Sequence, residues 1–322
     1  MIHLFKLIRL PNLITIALVQ FLMRYFIMAP ILKVKGFDLQ LTNIEFMVLV
    51  LSTVLLAAGG YVINEYFDRR SDLINKPNEV VLVRKLKRRW GISINFLLNA
   101  IAVGLGLWLT IQIGIYKLGI IFLLVPLFFW IYSAYLKKIY LVGNLAVASF
   151  VALVPILVPI IEAPLFIAFY RESFLEINAS LNNVYLWISS YAYFTFFSYL
   201  LYTTIKDAIG YHGDLEGGNK TIPVLLGLKN IKYFTSLIIL IILAPSSMIV
   251  FKHLGDQISI LYYLILIVLP LLVLLIQSIL AKKPEHFRFS SVIIRIIMLA
   301  GILYILVANY LITENFFLNH VF

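Results

Sequence analysis

The feature that most limits this chain is a recurrence of apolar stretches about 20 residues long, each enough to cross roughly 30 Å of hydrocarbon as α-helix. About nine can be read, over 11–32, 43–66, 91–113, 118–136, 144–168, 184–205, 233–251, 259–280 and 289–312. A water-soluble domain of 322 residues could bury a large core, but its surface could not stay wet at 62% hydrophobic and 13% charged residues. The expected fold class is therefore all-α: a polytopic membrane protein, about nine transmembrane helices bundled around a central cavity, in one domain over 1–322. The first span follows Lys6 and Arg9, as in a signal peptide. It is too long and lacks a small-residue cleavage site, so a retained helix is expected.

A net charge of +11 would suggest nucleic acid as partner in a soluble protein. Here the charge alternates between loops instead. Lys6, Arg9, the run from Arg69 to Arg89, Lys137, Lys138, Lys206, Lys220, Lys229, Lys232, Lys282, Lys283 and Arg288 fall on one side. Only Lys33, Lys35, Lys117, Arg171 and Lys252 fall on the other. The positive-inside rule then makes the first side cytoplasmic, with the N-terminus inside and the C-terminal tail outside. The partner implied is membrane lipid, not nucleic acid, and the location a bacterial or archaeal cell membrane. The sequence does not specify an oligomeric partner. With no cysteine, disulfides and thiolate metal sites are excluded, and five widely spaced histidines give no zinc or haem pattern.

Two cytoplasmic loops, about 68–90 and 206–232, are longer and richer in charge than the other connections. The first opens with Asn64, Asp68 and Asp72, spaced four apart, so a continuous helix stacks their oxygens in one stripe. Mg²⁺ suits such a stripe, because it takes few carboxylates, keeps several waters and fills its other positions from substrate phosphates. A single interfacial aspartate could equally cap a helix and pair with Arg69, Arg70 or Lys76. The stripe as a whole reads as functional, because Asn64 at the inner end of an apolar span costs free energy unless it faces a cavity. Glu65 points off the stripe and is expected to snorkel. The helix should end near Pro77, leaving Lys76 in the loop.

The second loop carries Lys206, Asp207, Gly210, Gly213, Asp214, Glu216, Gly217, Gly218, Lys220 and Thr221. Asp207 and Asp214 are seven apart, near two helical turns, and so could share a face, though the glycines argue for a frayed or broken helix. Lys206 and Lys220 would bring charge to a diphosphate. Alone, this segment also reads as a solvated, charge-balanced loop. Two acidic clusters at one membrane depth could instead hold two Mg²⁺ ions across a diphosphate and neutralise it as a leaving group.

At these residues the chain resembles the UbiA-type intramembrane prenyltransferase superfamily over nearly its full length. The match to N-x-x-x-D-x-x-x-D is Asn64, Asp68 and Asp72, followed by Ile74, Asn75, Lys76 and Pro77. Further similar elements are Ile8-Arg9-Leu10-Pro11-Asn12, Tyr132-Ser133 with Tyr135, Lys137 and Lys138, and Gly143-Asn144. The second motif keeps Lys206, Asp207, Gly213, Asp214, Lys220, Thr221, Pro223 and Gly227. It has Tyr202 and Thr203 where an arginine and a glutamate are usual, and Gly210 where an aspartate is. The run from Ala57 through Gly59, Gly60 and Tyr61 to Asp68 is most similar to the digeranylgeranylglyceryl phosphate synthase branch.

The resemblance implies an enzyme that, with Mg²⁺, transfers a prenyl group, geranylgeranyl in this branch, from prenyl diphosphate to a lipophilic acceptor, geranylgeranylglyceryl phosphate. It implies Asn64, Asp68, Asp72, Asp207 and Asp214 as catalytic metal ligands, and Arg9, Lys76, Tyr132, Lys137, Lys206 and Lys220 as substrate-binding residues. Two rival readings stay open: an aromatic prenyltransferase of quinone biosynthesis, and a non-catalytic lipid carrier. Away from the loops, Arg24 lies deep enough in the first span to demand an internal partner. Arg295 and Glu162 lie nearer span ends and are expected to snorkel.

Overall fold

The computed structural model describes residues 2–75, 81–82 and 87–314, apart from the side chains of residues 2, 69–72, 75 and 174–179. Among these residues the fold is helical throughout, with nine long helices. They are α1 (Leu10–Val34), α2 (Asn43–Asn75), α3 (Arg88–Gln112), α4 (Tyr116–Lys138), α5 (Val142–Phe169), α6 (Phe174–Ile209), α7 (Ile231–Leu254), α8 (Gln257–Leu280) and α9 (Pro284–Thr313). All but α6 are apolar enough along their described residues to cross a membrane, and α6, at 36 residues, covers the remaining expected span. The protein is an integral membrane protein.

Packing divides the bundle into two groups. α2 packs on α3 and α4, and α6 packs on α7 and α9, while α1 and α5 join the two groups. Small residues set the close approaches. On α2 a Cβ at Gly59 would lie 2.6 Å from the Asn99 side chain, and one at Gly60 would lie 3.0 Å from Phe129. The same stretch is held by hydrogen bonds: Asn95 donates to the Gly59 carbonyl at 2.8 Å, and Trp130 Nε1 donates to Asn95 at 3.0 Å. These contacts fix the register of the α2 end that carries Asn64 and Asp68.

Far from that end, Arg24 finds the partner its depth demands. A π-helical turn, Met23–Met28, carries it inward, where the guanidinium donates to the Leu41 carbonyl and lies 3.8 Å from Glu162. The ring of Phe46 faces it at 4.5 Å. Glu162 does not snorkel. It is buried in α5, and its Oε1 accepts the backbone N–H groups of Gln40 and Leu41, so one carboxylate both neutralises Arg24 and anchors the α1–α2 connection. Arg295 is exposed and donates to Ser291 on its own helix.

Glu65 is likewise more than a snorkelling side chain. Its Oε1 accepts the N–H groups of Val81 and Leu82 at 2.7 and 2.8 Å. Those two residues pack with Leu7 and Val62 into a small core beside the acidic end of α2. Lys76 lies outside the described residues.

Removing one member of a buried ion pair strands the other charge, at about 3–5 kcal/mol. Glu162→Gln is therefore expected to destabilise the detergent-solubilised protein by about that amount, with Arg24→Met/Glu162→Gln recovering a large part. Unfolding of wild type, Arg24→Met, Glu162→Gln and the double variant in a double-mutant cycle checks this; an additive cycle would contradict the pairing.

Candidate active site

The polar residues gather where α2, α4, α5 and α6 end together. On α2, Asn64 and Asp68 stand one turn apart and both meet Lys137, in the 3-10 turn Leu136–Lys138 that closes α4. Lys137 Nζ donates to Asn64 Oδ1 at 2.9 Å and forms an ion pair with the Asp68 carboxylate. Its side chain is only 11% exposed. α2 continues as helix through Asn75, but the Asp72 side chain lies outside the described residues.

Backbone packing aims Lys137. After the turn the chain passes Leu141, at a left-handed φ of 60°, and enters α5 at Gly143. A Cβ at Gly143 would lie 2.5 Å from Lys137 Cα, so only glycine lets α5 start this close to the turn. One residue on, Asn144 Nδ2 donates to Asp207 Oδ2 at 2.7 Å. The Gly143-Asn144 pair thus places a residue of each cluster.

The second cluster does not form one helical face. α6 ends at Ile209, Gly210 makes the break, and a short helix, Tyr211–Gly217, carries Asp214. Asp207 and Asp214 therefore come from two helices. The short helix packs on α2, which brings Asp214 to the side of Asn64 and Asp68. Gly218 ends it with φ 72°, and Asn219 Nδ2 donates to Asp214 Oδ1 at 3.1 Å. Asp214, Lys206, Lys138 and Arg9 all lie within Coulombic range of the Lys137 ammonium, and Asp207 interacts with Asp214, Lys206 and Lys137. The N–H of Lys220 donates to the Lys138 carbonyl at 3.1 Å, tying the second loop to the α4–α5 turn, while its side chain is exposed. Glu216 is exposed as well.

Aromatic rings adjoin the charged group. Arg9, itself left-handed at φ 52°, lies over the Tyr61 ring at 5.1 Å, and Asn12 donates to the Tyr61 hydroxyl at 3.2 Å. Tyr132 is within electrostatic reach of Tyr199, Asp207 and Arg9, and the rings of Tyr199 and Tyr202 are 5.5 Å apart. Asn144, Tyr61 and Tyr199 were not among the site residues expected from sequence. Asn144 offered a signal, an amide at the start of a long apolar helix, but the two tyrosines are indistinguishable in sequence from packing residues.

The UbiA prenyltransferase family model matches residues 36–292. This chain belongs to that family. Digeranylgeranylglyceryl phosphate synthase of Sulfurisphaera tokodaii is 31% identical over 245 residues, covering 76% of this chain and 77% of the relative. The synthase of Saccharolobus solfataricus is 28% identical over 256 residues, 79% and 81% of the two chains. A structure solved in work on digeranylgeranylglyceryl phosphate synthase in membranes superposes with a TM-score of 0.63 at 23% identity, over 95% of this chain and 97% of that one. A UbiA homologue from Archaeoglobus fulgidus bound to DMAPP and Mg²⁺ superposes with a TM-score of 0.54 at 14% identity, over 94% and 99%. Membership in this family makes the protein a prenyltransferase, and the polar end of the bundle is its candidate active site.

Hydrogen bonds to charged groups contribute about 1.5–3 kcal/mol, so losing the Asn144 contact is expected to slow prenyl transfer about 10- to 100-fold. Asn144→Leu, assayed in purified protein beside its circular dichroism spectrum, checks this. An unchanged rate would show that Asn144 does not orient Asp207.

Proposed function

We propose that this UbiA family member transfers a geranylgeranyl group from geranylgeranyl diphosphate to the free hydroxyl of geranylgeranylglyceryl phosphate, with Mg²⁺ as cofactor and the site on the cytoplasmic face. The observation that carries the reading is the grip of Asn64 and Asp68 on a cation, the Lys137 ammonium, directly beside the Asp207–Asp214 cluster. Oxygens that hold an ammonium here are the hard donors Mg²⁺ prefers. Among the described residues no three carboxylates or imidazoles converge on one point. The protein oxygens are thus a partial ligand set of the kind that substrate phosphates complete. The synthase relatives supply the choice of substrates.

In this proposal Asn64, Asp68 and Asp72 hold one ion, and Asp207 with Asp214 holds the other. Mg²⁺, when bound, neutralises the diphosphate as its bond to the allylic carbon lengthens. Lys206, Lys137 and Arg9 fix the diphosphate oxygens by charge, with Lys76 and Lys220 at the rim and Tyr132 as a hydroxyl donor. Tyr61 and Tyr199 present ring faces to the allylic carbon, where positive charge develops. The surrounding helices exclude water, so the acceptor hydroxyl forms the new C–O bond as the C–O bond to diphosphate breaks, its proton passing to the departing diphosphate. The second motif has Gly210 in place of a carboxylate, and in this reading two aspartates on two helices serve instead of three on one.

Incubation of the purified protein with both substrates and limiting Mg²⁺, followed by mass spectrometry, tests this. The expected product is the bis-geranylgeranyl glyceryl phosphate ether. Asp68→Asn is expected to lower its formation about 10²- to 10³-fold with the fold retained. An unchanged rate in Asp68→Asn would overturn the site; product only with an aromatic acceptor would overturn the substrate; recovery of intact diphosphate would indicate a carrier.

A further inference from the structure

We infer that Lys137 is a stand-in cation: in the metal-free protein its ammonium occupies the Asn64–Asp68 oxygens, and it leaves them for the diphosphate only when metal and diphosphate arrive together. The inference rests on the reading of Asn64 and Asp68 as metal ligands and concerns what controls their occupation.

Three observations carry it. Lys137 engages both members of the first pair at once, an amide oxygen and a carboxylate, which is how a small cation would be held there. The neighbouring Lys138 has the same charge but is exposed. Its backbone carbonyl, not its ammonium, makes the link to Lys220. And the placement of Lys137 is built into the backbone, through the glycine contact of α5 and the left-handed Leu141 that precedes it.

The physical reason for such a device is the cost of like charges in a low dielectric. Asp68, Asp207 and Asp214 lie at one half-buried end of the bundle, each interacting with Lys137. Without a cation among them the acidic clusters would repel each other and splay α2 from the short helix. Lys137 supplies that cation at the Asn64–Asp68 pair, beside Lys206 at Asp207. Its own seat is crowded by Lys206, Lys138 and Arg9, all of which repel it. A dication alone meets these same repulsions and must also expel the ammonium. A diphosphate changes the balance, because it gives the displaced ammonium an anion to face. The four-carbon stem of lysine lets the charge move a few ångströms without moving the backbone. Lys137 thereby makes metal binding conditional on the diphosphate.

Mn²⁺ binding, followed by electron paramagnetic resonance in detergent, tests this without turnover. In wild type, Mn²⁺ alone is expected to bind weakly and inorganic pyrophosphate to tighten it strongly. Lys137→Met and Lys137→Gln are expected to tighten Mn²⁺ binding at least 10-fold in the absence of pyrophosphate and to lose most of the pyrophosphate effect. Lys138→Met, which removes the same charge one residue away, is expected to change the pyrophosphate-free affinity less than threefold. If both Lys137 variants bind Mn²⁺ as wild type does, or more weakly, the stand-in role is wrong although the metal site stands. Equal tightening in Lys138→Met would reduce the effect to bulk charge and also overturn it. If wild type binds no Mn²⁺ even with pyrophosphate, the metal reading itself fails. Should Lys137→Met not fold, Lys137→Gln, which keeps a hydrogen-bond donor to Asn64 and Asp68, carries the same test.

Discussion

A charge in an apolar helix must find a partner, and at three decisive places in this protein the partner comes from a different helix. Asp68 of α2 is met by Lys137 from the turn after α4, Asp207 of α6 by Asn144 of α5, and Arg24 of α1 by Glu162 of α5. In lipid, apolar packing alone does little to choose one helix neighbour over another, because the tails are as apolar as leucine. Polar pairs therefore carry much of the specificity of assembly. The consequence for function is that the acidic clusters cannot form until the bundle has formed, and forming the bundle brings them together.

α5 shows how this works along the membrane normal. It has a polar anchor near each end, Asn144 toward the acidic clusters and Glu162 toward the other, 18 residues and so about 27 Å apart. Between them lie Pro155 and Pro159, each of which leaves a backbone carbonyl without its helical donor while the helix continues. One end fixes Asp207 and the turn carrying Lys137; the other fixes Arg24 and the α1–α2 connection. Because Arg9 directly precedes α1, the distant pair also bears on where that cationic residue sits beside the polar cluster, by holding the helix that follows it.

What could be read from the sequence follows from range. The spans are local: apolar runs of the right length declare themselves, and the structure has helices over all nine. The Asn64–Asp68 stripe is local too, since i and i+4 share a face in any helix. The partners are not local. Nothing near Arg24 points to Glu162, 138 residues on, and counting from the span end placed Glu162 near the interface without revealing that it faces inward to two backbone N–H groups. Glu65 was misread for the same reason, since its partners, Val81 and Leu82, lie across a loop. The shared face of Asp207 and Asp214 failed for a different reason. Helical spacing holds only while the helix is continuous, and Gly210 ends it between them.

That break bears on how a shortened acidic motif would serve the proposed diphosphate. Three carboxylates along one helix point in nearly the same direction, whereas two carboxylates on helices that meet at an angle converge from different directions. Here Asp207 is steered by Asn144 and Asp214 by Asn219 and by the packing of its helix on α2. Among the described residues the charged groups that interact with Lys137 are Asp68, Asp207 and Asp214 and, of its own sign, Arg9, Lys138 and Lys206. Such a group is close to balanced before any substrate enters. An unaccompanied diphosphate would leave it with excess negative charge, and a bare dication with excess positive charge, each at a cost raised by the low dielectric. The two entering together offset each other's charge.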